Sequence, residues 1–147
     1  MKYFILIITI ALICCKQTSK GSAKPEENID IQELKSLPEF ELTNIYIDSM
    51  IKFYDTIKSG ILIKGTFKIK NIGTKNLKIT NIQSGCSCVT INNYNQIVQK
   101  DILPRDSVFI NFTLPSATES GYISKGILVI GNFYHYYRRL LVEAYIK

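Results

Sequence analysis

The segment Ile61-Leu62-Ile63-Lys64-Gly65-Thr66-Phe67-Lys68-Ile69-Lys70 decides the fold class of this chain. Its odd-numbered positions are apolar or glycine, whereas four of its five even-numbered positions are polar. Successive side chains of a β-strand point to opposite faces, so this period of two predicts a strand that is buried on one face only. The same alternation recurs at residues 108–114 and 140–146, and residues 123–130 are rich in branched apolar residues, as a strand inside a sandwich should be.

Turn-forming residues separate these runs at intervals of about ten residues. They are Asn71-Ile72-Gly73, Asn92 to Asn95, Pro104-Arg105-Asp106 and Gly131-Asn132. Short strands, frequent turns and no long amphipathic helix between them predict an all-β fold, an immunoglobulin-like antiparallel β-sandwich over residues 45–147. Asn71 and Gly73 are predicted to form a structural turn, Asn71 by capping its own backbone and Gly73 by accepting a positive φ, so that the chain reverses toward Leu77.

Several of these stretches also carry a resemblance. They are residues 53–60, residues 65–73, Leu77-Lys78-Ile79, Cys86-Ser87-Cys88-Val89-Thr90, Leu103-Pro104, and Gly121 with residues 125–132. In this order they resemble a family of short bacterial domains of unknown function with a Cys-x-Cys signature, related to the immunoglobulin-like domains of the abnormal-spindle and hydin type. The resemblance covers about residues 50–147 and implies an architecture and an exported bacterial protein, but no reaction. Ser87 and Arg105 stand where the family has glycine.

The first fifteen residues have the pattern of an export signal. Met1 and Lys2 precede an apolar stretch from Tyr3 to Cys15 that only Thr9 interrupts, which is typical of a signal peptide. The stretch is shorter than the ~20 apolar residues of a membrane-spanning helix. Its end, Leu12-Ile13-Cys14-Cys15, resembles the lipobox of bacterial lipoproteins, with Cys15 as the lipid acceptor; the alternative, Cys14, would place the bulky Ile13 before the cleavage site. A plain secretory peptide and an uncleaved anchor also stay open.

Three segments follow from this pattern. Residues 1–14 are predicted to be a lipoprotein signal peptide, residues 15–44 the lipidated N-terminus and a tether, and residues 45–147 the folded domain. Residues 16–28 are too polar to bury a core, and Ile31, Leu34 and Leu37 before Pro38 predict a short helix or turn. The protein is therefore expected to be exported and held by lipid on a bacterial membrane, on its periplasmic or cell-surface side.

The composition excludes several classes of function. A chain of 147 residues with 46% hydrophobic and 20% charged residues is long enough for one globular domain and is not typical of disorder. With one His and four Cys, it offers little for a His-rich metal centre or a Ser-His-Asp triad, and its carboxylates are scattered at turns. The net charge of +6 is spread over single lysines. No enzymatic activity is expected.

Cys86 and Cys88 are the cysteines that remain after the lipobox. In a flat strand their Cβ atoms would be ~7 Å apart, whereas a disulfide needs about 3.5–4.5 Å, so a bridge requires a tight turn. Three hypotheses stay open: a structural pair, a redox pair, or a soft-metal site for Cu or Zn that recruits a ligand such as Met50 or His135. A single Cys-x-Cys is a weak motif.

The second candidate site is the segment Phe133-Tyr134-His135-Tyr136-Tyr137-Arg138-Arg139. One interpretation is a hairpin loop that caps the sandwich with solvated arginines. The other is a contact surface for a partner, formed by Tyr134, Tyr136, Arg138 and Arg139, because Tyr and Arg are enriched at binding hot spots. The same residue types stack on nucleic-acid bases, but an exported chain rarely meets them, so no nucleic-acid partner is expected.

Two functions follow from these observations. The first is a lipid-anchored, non-enzymatic binding or scaffolding module that contacts another envelope protein through an edge strand or a loop end of the sandwich. The alternative is a thiol redox or soft-metal-handling protein that acts through Cys86 and Cys88. The sequence does not name the partner.

Overall fold

The alternating segments form the long strands of two stacked sheets in a computed structural model of the protein, which describes residues 31–36, 38–98 and 100–147. The helical elements are α1 (Ile31–Lys35), a 3-10 turn (Glu39–Glu41) and α2 (Tyr94–Ile97). The strands are β1 (Ile45–Ile47), β2 (Ile51–Ile57), β3 (Leu62–Asn71), β4 (Leu77–Ser84), β5 (Thr90–Ile91), β6 (Asp101–Ile102), β7 (Ser107–Pro115), β8 (Gly121–Gly131) and β9 (Tyr137–Ile146). The predicted signal peptide and both lipobox cysteines, Cys14 and Cys15, lie outside the described residues.

The strands form a four-stranded sheet in the order β1-β3-β7-β5 and a five-stranded sheet in the order β2-β9-β8-β4-β6. The predicted β-sandwich is therefore confirmed. The five-stranded sheet is mixed, because β2 pairs with β9 in parallel while the other strand pairs are antiparallel. The chain changes sheets between β1 and β2, so a segment that begins antiparallel to β3 continues parallel to β9.

The core lies between the sheets, where the predicted inward faces meet. The fully or almost fully buried side chains include Ile63, Phe67 and Ile69 of β3, Ile110, Phe112 and Leu114 of β7, and Leu140, Val142 and Ala144 of β9. The rings of Phe67 and Phe112 stack with centroids 5.4 Å apart. Burial of this many branched and aromatic side chains is the main source of stability, at about 1.5–3 kcal/mol each.

The segment before β1 makes ordered contacts with the domain. Residues Ile31–Lys35 form the predicted short helix, and Leu34 is buried. Thr43, also buried, donates its backbone N–H to the carbonyl of Asn132 at 3.0 Å. Packing of the chain on the domain therefore begins before residue 45. No helix among residues 31–36, 38–98 and 100–147 is both long and apolar enough to cross a membrane.

The predicted turn at Asn71 and Gly73 is built differently from the expectation. Asn71 does cap its own backbone, since its Oδ1 accepts the N–H of Gly73 at 3.1 Å. Gly73 does not have a positive φ; a Cβ at this position would collide with the Thr43 side chain and the Asn44 backbone. The turn also leads from β3 in one sheet to β4 in the other, so it is a crossover between sheets and not a hairpin.

Candidate functional site

Cys86 and Cys88 form a disulfide, with Cα atoms 5.2 Å apart. They lie in the connection that leaves β4 in the five-stranded sheet and enters β5 in the four-stranded sheet. The N–H of Gly85 donates to the carbonyl of Gly126 at 2.8 Å, and the N–H of Val89 donates to the carbonyl of Cys86 at 3.4 Å. The chain thus makes the tight turn that the spacing of the cysteines requires, and both half-buried cysteines pack against the core.

A shallow groove of about 300 Å³ adjoins this connection on the outer face of the five-stranded sheet. Two glycines line it side by side, because a Cβ on Gly85 would lie only 3.3 Å from the carbonyl oxygen of Gly126. The side chain of Arg139 lies over Gly126, with its Nε 3.1 Å from where a Cβ would stand. The groove therefore combines exposed backbone, one guanidinium and the neighbouring disulfide loop.

The structure does not bring the suggested additional metal ligands to the cysteines. Met50 immediately precedes β2, which is an edge strand of the five-stranded sheet. The cysteines follow β4, and β9 and β8 lie between β2 and β4. Met50 is therefore three strand spacings, ~14 Å, from the strand that leads to the cysteines. His135 lies in the turn beyond the far end of β8. Within the described ranges, no three His, Cys, Asp or Glu side chains cluster as a metal site. In the bridged state neither sulfur is a thiolate, which is the form that binds metals.

The aromatic segment forms the turn between β8 and β9, referred to below as the aromatic loop (residues 132–136). Phe133 is fully buried and anchors it, whereas Tyr134 and His135 are exposed. His135 and Tyr136 both have a positive φ, of 74° and 63°. The N–H of Tyr136 donates to the carbonyl of Phe133 at 2.7 Å, which closes the turn. Two consecutive left-handed residues that are not glycine are uncommon and cost conformational energy.

A second shallow cavity, of about 320 Å³, opens where this loop meets the segment before β1. Tyr134, His135 and Tyr136 line one side, and Glu39 and Leu42 line the other. The N–H of Tyr134 donates to the carbonyl of Thr43 at 3.2 Å and so ties the loop to that segment. The contribution of Glu39 and Leu42 is not visible in the sequence, because both belong to the part predicted to be a tether.

The four residues predicted as one contact surface fall in three places. Tyr134 and Tyr136 line the cavity at the aromatic loop. Arg138 lies over the buried ring of Phe133, with its guanidinium carbon 5.6 Å from the ring centroid, and donates to the carbonyl of Tyr137. Arg139, one residue further on, points to the outer face of the sheet and its groove. Successive residues of a strand face opposite ways, which separates the two arginines.

A family model described as "Protein of unknown function (DUF1573)" matches residues 45–146. No curated protein sequence matches the chain. Among solved structures, a protein of unknown function from Porphyromonas gingivalis W83 is 18% identical with a TM-score of 0.61; the match covers 76% of this chain and 50% of that one. This chain thus spans about half the length of that protein.

Two further structures are similar in fold. The ASH/PapD-like domain 7 of human CEP192 is 10% identical with a TM-score of 0.57, and the match covers 76% of this chain and 89% of that one. The VesB protease of Vibrio cholerae is 9% identical with a TM-score of 0.54 over 71% of this chain and 32% of the protease. At these identities the likeness shows the fold alone, an immunoglobulin-like and PapD-like β-sandwich, and a fold does not by itself imply a function.

Proposed function

This chain belongs to the family of proteins of unknown function designated DUF1573, and we propose that it is an exported, lipid-anchored, non-enzymatic module of the bacterial cell envelope that binds a partner through its aromatic loop. The partner in this proposal is another envelope protein.

The observation that carries the proposal is the backbone of the aromatic loop. Residues held in sparsely populated φ/ψ regions cost of order 1–3 kcal/mol each and are found preferentially at binding and switch sites. Here the two consecutive left-handed residues are His135 and Tyr136. Phe133, fully buried beneath the loop, and the hydrogen bond from Tyr134 to Thr43 hold this costly conformation in place. The result is a rigid presentation of aromatic side chains.

The cavity beside the loop favours a particular kind of contact. The Tyr134 and Tyr136 side chains offer apolar rings with hydroxyl groups, Leu42 offers an apolar wall, and Glu39 offers a carboxylate. Tyrosine supplies a large contact area at a low cost in side-chain entropy. Such a cavity fits an apolar side chain of a partner protein that has a cationic or hydrogen-bonding group close by.

The sheet edges are less suitable for binding a partner strand. On one side of the sandwich, the Tyr54 hydroxyl donates to the carbonyl of Lys64 at 2.9 Å and so joins β2 to the edge of β3. On the other side, the Asn93 side chain donates to the carbonyl of Phe109 and accepts the N–H of Asn111. Side chains that satisfy edge groups in this way discourage strand addition. This favours the loop end over an edge strand as the binding surface.

Two independent features support export, and the first of them also supports lipid anchoring. The sequence begins with a signal-like stretch that ends in the lipobox-like Leu12-Ile13-Cys14-Cys15. The Cys86–Cys88 disulfide is a bond that persists in oxidising compartments outside the cytosol. Lipid on Cys15 would hold the domain at a membrane surface, since two or more acyl chains anchor a protein stably.

Site-specific photocrosslinking in intact cells tests the binding role. A benzophenone amino acid replaces Tyr134 in the full chain, and the matched control places it at Tyr46, which is also exposed but lies on β1. We expect a discrete adduct with another protein from position 134 and none from position 46. Adducts of equal yield from both positions, or none from 134, would contradict the proposal.

A redox or metal role for Cys86 and Cys88 is the second candidate, favoured by the position of the bridge beside the groove that holds Arg139. A cation near a thiol stabilises the thiolate. The test is to count free thiols with and without mild reductant and to measure bound Cu and Zn after purification under reducing conditions. A bridge that resists mild reductant, together with a metal-free protein, would rule this candidate out.

A further inference from the structure

The outer face of the five-stranded sheet carries several exposed apolar side chains. Its members are each at least 48% exposed: Ile51, Phe53, Tyr122, Tyr137 and Tyr145. Leu141 lies among them, aligned with Ile51 on one neighbouring strand and with Gly126 on the other. The strand registers place Ile51 beside Leu141 and Tyr122 beside Tyr145, and clustered exposed apolar side chains mark interaction sites on soluble domains.

The central strand of this face, β9, has a self-complementary pattern. Its outward residues are Tyr137, Arg139, Leu141, Glu143 and Tyr145, which alternate with the buried Leu140, Val142 and Ala144. On either side of Leu141 along the strand, the next outward residue is charged and the one after it is a tyrosine. The charges are opposite, an arginine on one side and a glutamate on the other. A two-fold axis through Leu141 would therefore place each charge against its opposite.

We propose that this face binds a second copy of the chain, with the two β9 strands antiparallel and a two-fold axis at Leu141. Closed dimers use the same patch on both subunits, so the patch must complement itself. Charge selects the arrangement. Parallel strands would place Arg139 on the partner's Arg139, whereas antiparallel strands place Arg139 of each copy on Glu143 of the other. Leu141 then meets its counterpart, and Tyr137 meets the partner's Tyr145.

Contacts within the chain orient the side chains of Glu143 and Arg139 on this face. Glu143 Oε1 accepts the hydroxyl of Ser124 at 3.0 Å, and the same carboxylate raises the pKa of the neighbouring Tyr122. The Arg139 side chain lies flat over Gly126, where no side chain is in the way.

Neither Arg139 nor Glu143 has an ion-pair partner among the described residues. Along β9 the two residues are four positions, ~13 Å, apart and cannot pair with each other. The ion pairs among the described residues are Lys78–Asp101 and Lys125–Glu119, which involve neither of them. This surface is distinct from the aromatic loop, so the inference goes beyond the proposed function and does not depend on it.

Crosslinking of the full chain in cells tests the proposal. Leu141→Cys is treated with a short bismaleimide, and Lys64→Cys, exposed on β3 of the opposite sheet, is the matched control. The unmodified chain reports any crosslinking through its own cysteines. We expect a product with the mass of two chains from Leu141→Cys only. Absence of that product, or equal yields from both variants, would overturn the proposal.

Charge reversal in the Leu141→Cys background tests the arrangement. Arg139→Glu alone and Glu143→Arg alone should each lower the yield about tenfold or more, because like charges then face each other across the axis. Coexpression of the two variants should restore the product, since each copy then pairs with opposite charges on the other. Restoration supports the antiparallel dimer, and it also shows that both variants fold.

Yields that charge reversal leaves unchanged, or that coexpression fails to restore, would overturn the proposal. A product whose mass differs from that of two chains, caused by a different protein on this face, would also overturn it. Failure of this test leaves the adduct expected from Tyr134 unaffected, so the two proposals fail independently.

Discussion

Asn71 connects three segments that come from different parts of the chain. Its Oδ1 accepts the Thr43 hydroxyl at 2.8 Å as well as the N–H of Gly73. Its Nδ2 donates to the carbonyls of Lys75 at 2.7 Å and Ile102 at 3.0 Å. The Asn71 side chain is fully buried, so water cannot take its place as the hydrogen-bond partner of these groups. This one amide fixes the crossover between the sheets against the segment before β1.

Replacement of Asn71 by Ala should therefore strongly destabilise the domain. Four hydrogen bonds disappear and several buried groups lose their partner, so the free energy of unfolding should fall by about 3 kcal/mol or more. Thr43→Val removes one of these bonds and should cost about 1 kcal/mol. Urea unfolding measures both. The control is Asn95→Ala, at an exposed position, which should change stability by less than about 0.5 kcal/mol; a loss as small as this for Asn71→Ala would refute the role.

Gly73 shows what the sequence could and could not predict at this scale. The residue type and the turn were predictable, because Asn-x-Gly punctuates two apolar runs. The reason for the glycine was not: it makes room for Thr43 and Asn44, which lie almost thirty residues earlier in the sequence. Local patterns report preferred dihedral angles but not which distant segment comes close. The same limit concealed Glu39 and Leu42 beside the aromatic loop.

Strand β2 is one of the two edge strands of the five-stranded sheet, and its Tyr54 side chain contacts β3 of the other sheet. The Tyr54 hydroxyl donates to the carbonyl of Lys64, and it shares with the ring of Phe112 the space that Gly65 leaves open. Burial raises the pKa of Tyr54 above its usual value of 10.0. The folded state thus holds the tyrosine proton more tightly than the unfolded state does.

This contact makes a pH-dependent prediction. Tyr54→Phe should cost about 1 kcal/mol at neutral pH through the lost hydrogen bond. The stabilising contribution of Tyr54 is fully present below about pH 10 and is lost as the pH rises through its folded pKa, because the unfolded state then releases the proton first. The stability difference between the two proteins should therefore be constant below about pH 10 and shrink as the pH rises further in urea unfolding. A constant difference would show that Tyr54 is not buried in this way; Tyr46→Phe is the exposed control.

The connection from β4 to β5 is the other element with a specific expectation. The disulfide closes a very short loop, so the chain-entropy model gives it only about 1–2 kcal/mol. The double variant Cys86→Ser, Cys88→Ser should therefore remain folded, with a free energy of unfolding lower by about that amount. Circular dichroism and urea unfolding check this. Loss of the folded domain would mean that the bridge is essential to the crossover between the sheets.

At the scale of the whole molecule, the sequence was sufficient for the layers but not for the strand order. Alternation at residues 61–70 and 140–146 predicted which side chains form the core, and burial confirms it except at Ile61, which precedes β3 and is 51% exposed. Alternation gives the face of a strand but not its neighbour, so the parallel pairing of β2 with β9 was not predictable. For the same reason the sequence grouped Arg138 and Arg139, which the strand directs to opposite faces.

The two proposed surfaces lie on different parts of the domain. The aromatic loop occupies the end of the sandwich where the chain enters from the predicted tether, and the β9 face occupies the side of the five-stranded sheet. A lipid anchor would concentrate the protein at the membrane, which favours both self-association and contact with an envelope partner. The anchor is therefore the premise that connects structure and function.

Metabolic labelling with an alkyne analogue of palmitate, followed by membrane fractionation, tests that premise most directly. The full chain and its Cys14→Ser variant should carry the label and sediment with membranes, whereas Cys15→Ser should lose the label. An unlabelled chain that is found outside the membrane fraction would contradict the account of a lipid-anchored binding module.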